Sequence, residues 1–165
     1  MNTEDFWLKI KYSRKSVAFF SVTLIWMVVI FIFSAQNGDE SSDTSGFLLG
    51  LLCDIFRLYP SPEDASMMSF LIRKAAHMTE FGVLALLWLG TLRSGLRNAL
   101  WNYPAAFALS SFYAATDEIH QLFVSDRAGQ VTDWLIDSAG ATGFLICAWI
   151  FSRTCAGTAD NRNDA

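Results

Sequence analysis

Residues 17–33, VAFFSVTLIWMVVIFIF, run without a charge and follow Lys9, Lys11, Arg14 and Lys15. A cleaved signal peptide has an apolar stretch of only about 7–15 residues followed by small residues at the cleavage site. This run is longer and places Phe33 two positions before Ala35, so it reads as an uncleaved membrane span. Three further apolar stretches, at about 75–92, 99–119 and 134–152, approach the ~20 residues that cross a bilayer as a helix. The pattern predicts an all-α integral membrane four-helix bundle over residues 1–155. Residues 156–165, AGTADNRNDA, are expected to form a disordered polar tail.

Composition agrees. Of 165 residues, 53% are hydrophobic and only 17% charged, against roughly 25% charged in soluble domains. The formal net charge of −4 lacks the basic excess of a nucleic-acid binder, so that class is excluded. Cys53, Cys147 and Cys155 form neither a CxxC pair nor a disulfide framework and are read as structural.

Basic residues set the orientation, because Lys and Arg beside short loops stay cytoplasmic. Lys9, Lys11, Arg14, Lys15, Arg93, Arg97, Arg153 and Arg162 fall on one side under this scheme. Arg57, Arg73, Lys74 and Arg127 fall on the other, with twelve of the sixteen acids. Both termini are therefore expected in the cytoplasm. The outer connection 34–72 contains GFLLGLLCDIFRLY, whose Phe47, Leu48, Leu51, Leu52, Ile55, Phe56 and Tyr59 share one helical face. An amphipathic helix lying in the outer interface fits this spacing; packing of that face against the bundle is the alternative. Pro60 and Pro62 are expected to end it.

Polar residues within the apolar stretches suggest a site. Arg73, His77 and Glu80 lie on one face of the second span, with Lys74 beside them. Glu80 sits about 10 Å below Arg73 at the helical rise, a depth at which a carboxylate needs a partner. Arg73 or Arg127 is expected to supply it. The third span ends in Asp117, Glu118, His120 and Gln121, and the fourth begins with Asp133 and Asp137. Below them, Ala139, Gly140, Ala141 and Gly143 offer a small surface for close helix approach. Three stripes opening at one membrane face predict an outward-facing polar pocket, with Arg127 on the loop above. A purely structural network of buried ion pairs is the plain alternative.

Two chemistries suit such a pocket. Arg73, Lys74, Gln121, Arg127 and Asp137 can bind a phosphate-bearing envelope lipid or peptidoglycan precursor, since guanidinium and ammonium donors match phosphate. The other reading is a metal-dependent membrane hydrolase or transferase acting on a lipid-linked precursor, with His77, Glu80, Asp117, Glu118 and Asp133 as catalytic groups. Its metal ligands would be His77, Glu80, Asp117 and His120, because i, i+3 pairs of imidazole and carboxylate build metal sites in helix bundles. Mixed nitrogen and oxygen ligands suit zinc or manganese as the divalent cation. No GxSxG elbow supports a serine hydrolase. A proton-coupled transporter is disfavoured by the lack of an internal inverted repeat.

Four motifs in order resemble the VanZ-like membrane proteins, a family named after a protein associated with teicoplanin resistance. Phe33, Ser34, Gln36, Ser41, Ser42 and Ser45 match a phrase FSxQ with following serines. Lys74, His77, Glu80, Phe81 and Leu84 match the second motif, and Asp117, Glu118, Gln121 and Phe123 the third. Arg127, Asp133, Asp137 and Gly140 match the last. The chain departs from the family where Ser125 and Asp126 replace a common Pro-Gly, and where Asp137 replaces a frequent Asn. The resemblance implies residence in a bacterial inner membrane, a cell-envelope role and, for some members, glycopeptide tolerance.

The orientation is testable in a chain whose native cysteines are replaced by serine. A cysteine at Asp39 should react with a membrane-impermeant maleimide in intact cells, whereas cysteines at Arg93 and Ala165 should react only after lysis. The reverse pattern would invert the topology.

Overall fold

The computed structural model describes residues 14–95 and 99–160. Five helices follow one another, α1 (Arg14–Ser34), α2 (Gly38–Phe56), α3 (Pro62–Gly95), α4 (Ala99–Gln121) and α5 (Val131–Asp160). No strand occurs among the described residues. Lys9, Lys11, Arg97 and Arg162, which entered the charge partition, lie outside them.

By length and composition, α1, α3 and the Val131–Thr154 part of α5 can cross a membrane. Their outward surfaces are apolar, with Ile25, Val28, Ile32, Ile146 and Phe151 all exposed. In water such surfaces would form a patch far larger than soluble monomers carry; hydrocarbon is their natural solvent. Four spans are expected from the sequence, and three helices among the described residues meet the length and composition for one. Helix α4 is 23 residues long, but Asn102, Ser110, Ser111, Asp117, Glu118 and His120 interrupt its apolar character.

Helix α3 occupies the centre and touches all four others. Phe81 and Leu84 of α3 pack with Ile30 of α1 and Ala114 of α4, all fully buried. One turn further, Ala85 and Leu89 meet Ala106 of α4 and Ala141 and Leu145 of α5. Helices α3 and α5 run parallel: Lys74 meets Asp133, Met78 meets Gly140 and Gly82 meets Phe144. A Cβ at Gly140 would stand 2.2 Å from the Met78 carbonyl oxygen, so the two backbones touch there. Hydrogen bonds reinforce this packing where hydrophobic association is weak. Trp26 Nε1 donates to the Glu80 carbonyl at 3.0 Å, Ser110 Oγ to the Phe81 carbonyl at 3.0 Å, and Tyr113 Oη to the Met27 carbonyl at 2.8 Å. The Ser111 and Ser138 hydroxyls lie 2.8 Å apart.

Several expectations change. The second span belongs to a helix beginning at Pro62, well before residue 75, because Ser61 caps it and proline suits the first helical position. Pro60 and Pro62 do not end α2. The chain leaves that helix at Arg57, whose φ of 54° and ψ of 46° place it in the left-handed region. Of the small stripe, Gly140 and Ala141 are buried, but Ala139 and Gly143 face outward. Residues 156–160 continue α5 and are not a disordered tail, since an established helix adds a hydrogen bond for each further residue. Residues 161–165 lie outside the described part.

Helix α2 is polar towards the bundle and apolar away from it. Asn37 Oδ1 accepts from the Glu40 N–H, and Glu40 Oε2 from the Asn37 N–H, a reciprocal cap that starts the helix. Ser41, Ser45 and Leu49 are buried, whereas Phe47, Ile55 and Tyr59 are 78%, 63% and 93% exposed. The apolar face singled out by its spacing is therefore not packed on the other helices.

Gly140→Ala is expected to lower thermal stability in detergent by about 1–3 kcal/mol equivalent, the usual cost of overpacking. Gly143→Ala should leave it unchanged, because a Cβ there meets nothing within 4 Å. Equal melting temperatures for the two variants would show that the α3–α5 contact does not set the packing.

Candidate functional site

The polar stripes converge at the end of the bundle where α1 stops and α5 starts. Arg73, Lys74 and His77 from α3 line a small cavity together with Glu118 and Gln121 from α4. Asp133, Ile136 and Asp137 from α5 and Arg127 from the α4–α5 loop complete it. Its volume is about 20 Å³, which is room for roughly one water molecule.

The partners in this cluster separate into a neutralised pair and two guanidinium groups held by neutral acceptors. Lys74 Nζ pairs with Asp133 Oδ1 at 2.5 Å, the one ion pair among the described residues. Arg73 Nη2 donates to the Ser42 hydroxyl at 2.8 Å, and Arg73 Nε is buried without a protein partner. Arg127 Nε donates to the Gln36 carbonyl at 3.2 Å. Burial, and then the nearby Arg73 charge, lower the Arg127 pKa, opposed by Asp117, Glu118 and Asp133. Neither arginine makes an ion pair with a carboxylate among the described residues.

Neighbouring loops are fixed by specific contacts. Gln121 Nε2 donates to Ser34 Oγ at 3.2 Å and to Asp117 Oδ2 at 3.1 Å, tying α4 to the end of α1. The Gln130 N–H donates to Glu118 Oε2 at 2.8 Å, drawing the start of α5 towards α4. Asp126 has a φ of 58°, and the Gly38 N–H donates to the Ser125 carbonyl at 3.3 Å. A Cβ at Gly38 would lie 2.7 Å from the Asp126 carbonyl oxygen. The arginine-bearing loop thus rests directly on the α1–α2 corner.

Eight of the eleven expected pocket residues line this cavity: Arg73, Lys74, His77, Glu118, Gln121, Arg127, Asp133 and Asp137. Asp117 is buried beside it and reaches it only through Gln121. Glu80 does not line it, and the expected contact of Glu80 with Arg73 or Arg127 is not made; Asp133 is the paired carboxylate instead. The expected metal set of His77, Glu80, Asp117 and His120 is not assembled. No group of three or more His, Cys, Asp or Glu among the described residues is placed to hold an ion. The His120 ring lies 4.6 Å from the Phe31 ring, and the i, i+3 spacing does not by itself assemble three or more ligands among the described residues.

A model of the VanZ/LLP1 family matches residues 19–152. The chain belongs to the VanZ/LLP1 family. Searches of curated proteins and of solved structures returned no match. The family motif around FSxQ now has a physical role that residue type alone concealed. Ser34, the Gln36 carbonyl and Ser42 accept hydrogen bonds from Gln121, Arg127 and Arg73 respectively. Residue type alone does not mark these three as site partners; their clustering just after the first apolar run is the available signal. Asp126 takes the left-handed backbone conformation that glycine adopts most readily.

The Lys74–Asp133 pair joins α3 to α5, and removing one partner leaves the other uncompensated. Lys74→Met should therefore lower the melting temperature, and adding Asp133→Asn should restore part of the loss. The coupling expected from a double-mutant cycle is about 0.5–3 kcal/mol. Strictly additive effects would show that the pair contributes nothing to the packing.

Proposed function

We propose that this VanZ/LLP1 protein binds the phosphate-bearing head group of an anionic envelope lipid or lipid-linked peptidoglycan precursor between Arg73 and Arg127. The carrying observation is the pair of guanidinium groups that share one cavity and, among the described residues, lack a carboxylate partner. Lys74 already neutralises Asp133, which leaves the two guanidinium groups, neither paired with a carboxylate among the described residues, next to the buried Arg73 Nε that has no hydrogen-bond partner there. Two planar donor forks suit a tetrahedral oxyanion, with bidentate geometry available to each. Because the cavity has room for roughly one water molecule, only head-group oxygens enter it, and the lipid chain stays in the bilayer.

In this reading α4 is the fourth span, both termini are cytoplasmic, and the apolar face of α2 lies in the outer interface. Support comes from the arrangement of charge: Arg14, Lys15, Arg93 and Arg153 lie near the end opposite the acid-rich cluster. An amphipathic helix whose apolar face avoids the protein is suited to the head-group boundary. Retention or presentation of such a lipid would connect the protein to glycopeptide tolerance, including teicoplanin, as the family resemblance implies.

Native mass spectrometry of protein released from phosphatidylcholine nanodiscs tests the reading. Nanodiscs doped with phosphatidylglycerol or with a polyprenyl phosphate separate bulk lipid from carrier lipid as the source of the phosphate. The wild type should retain at least one of them. Arg73→Gln and Arg127→Gln should each reduce retention roughly ten-fold, as expected for losing a hydrogen bond to a charged group. The same variants should lower teicoplanin tolerance in cells that depend on the protein. Unchanged retention in both variants would refute the proposed site.

A further inference from the structure

At the end of the bundle opposite the polar cluster, α3, α4 and α5 leave an open groove of about 720 Å³. That volume falls within the roughly 300–1,000 Å³ of small-molecule sites. Leu145, buried on α5, lies at its base; Phe107 of α4 and Ile146 and Trp149 of α5 form partly exposed apolar walls. Two arginines from different helices border it. The Arg93 guanidinium lies 4.9 Å from the centre of the Tyr103 ring and also donates to the Tyr103 hydroxyl. The Arg153 guanidinium lies 5.5 Å from the centre of the Trp149 ring.

Among the described residues no acidic side chain lines this groove, and neither arginine pairs with a carboxylate. The contrast with the opposite end is chemical: there, carboxylates line the cavity and one neutralises Lys74. Here the cations contact aromatic faces, an arrangement that leaves guanidinium N–H edges available for an anion. A chain-sized apolar channel ending at two unpaired arginines has the polarity of one phospholipid, with the acyl chain inside and the phosphate at the rim. Basic pockets between membrane helices bind anionic head groups by this combination.

We propose that the groove binds an anionic phospholipid of the leaflet facing the Arg93–Arg153 end, with its phosphate between these arginines and an acyl chain along Phe107, Leu145 and Ile146. This site is separate from the head-group site at Arg73 and Arg127 and does not depend on it.

Trp149 supplies a local optical probe. The full-length protein is reconstituted in phosphatidylcholine vesicles containing phosphatidylglycerol or phosphatidylcholine brominated along one acyl chain, and tryptophan quenching is measured. The difference between wild type and Trp149→Phe isolates the groove signal. Brominated phosphatidylglycerol should quench that signal more strongly at equal mole fraction. Its relative association constant should fall roughly five-fold per arginine removed in Arg93→Gln and Arg153→Gln, the effect of about one basic residue at a lipid surface. A double Lys variant at these positions should keep much of the selectivity, and the Arg73→Gln/Arg127→Gln protein should keep all of it. Equal quenching by the two lipids would overturn the proposal, as would selectivity that survives removal of both groove arginines. Selectivity lost only with Arg73 and Arg127 would also overturn it and assign the effect to the other end of the bundle.

Discussion

The contact between the Gly140 and Met78 backbones fixes the distance between α3 and α5, and most of the architecture follows from it. Two parallel helices can approach this closely only where one has no side chain. That approach holds Lys74 opposite Asp133 at one end and Gly82 opposite Phe144 further along. It also buries Ala141 and Leu145 against Ala85 and Leu89. Because α3 touches every other helix, its relation to α5 sets the geometry of both the polar cavity and the apolar groove.

The polar end illustrates how charge can be dense without being self-cancelling. A cluster containing Arg73, Lys74, Arg127, Glu118, Asp133 and Asp137 could in principle pair completely. Only Lys74 and Asp133 do so among the described residues. The two guanidinium groups are held by neutral oxygens from Ser42 and Gln36, which orient them without quenching their charge. A carboxylate in those positions would lock the helices together and remove the attraction for an anionic ligand.

Much of the fold was legible because hydrocarbon imposes simple demands. The uncharged run 17–33 identified α1, and the recurring polar residues on the later helices identified one end of the bundle. Side-chain periodicity, with Arg127 on the following loop, anticipated eight of the residues that share the small cavity, since positions three or four apart share a helical face. It could not assign partners. His77 with Glu80 and Asp117 with His120 each have ligand-like spacing, yet no group of three or more such side chains among the described residues is placed to hold an ion. The role of Ser34, Gln36 and Ser42 was hidden for a related reason: neutral acceptors acquire meaning only from the donors that tertiary packing brings to them. The start of α3 at Pro62 was obscured by charged residues beyond the apolar segment, although a helix is free to extend past the hydrocarbon.

If the proposed head-group site is used, the seating of the Asp126 loop on Gly38 changes the thermodynamics of ligand capture. A long polar connection would ordinarily sample many conformations, and closing it around a head group would carry an entropic penalty. Here the left-handed Asp126 backbone and the absence of a Cβ at Gly38 settle the loop during folding. Arg127 is therefore ordered before a ligand arrives, and binding energy can appear as affinity and residence time instead of being consumed in ordering the loop.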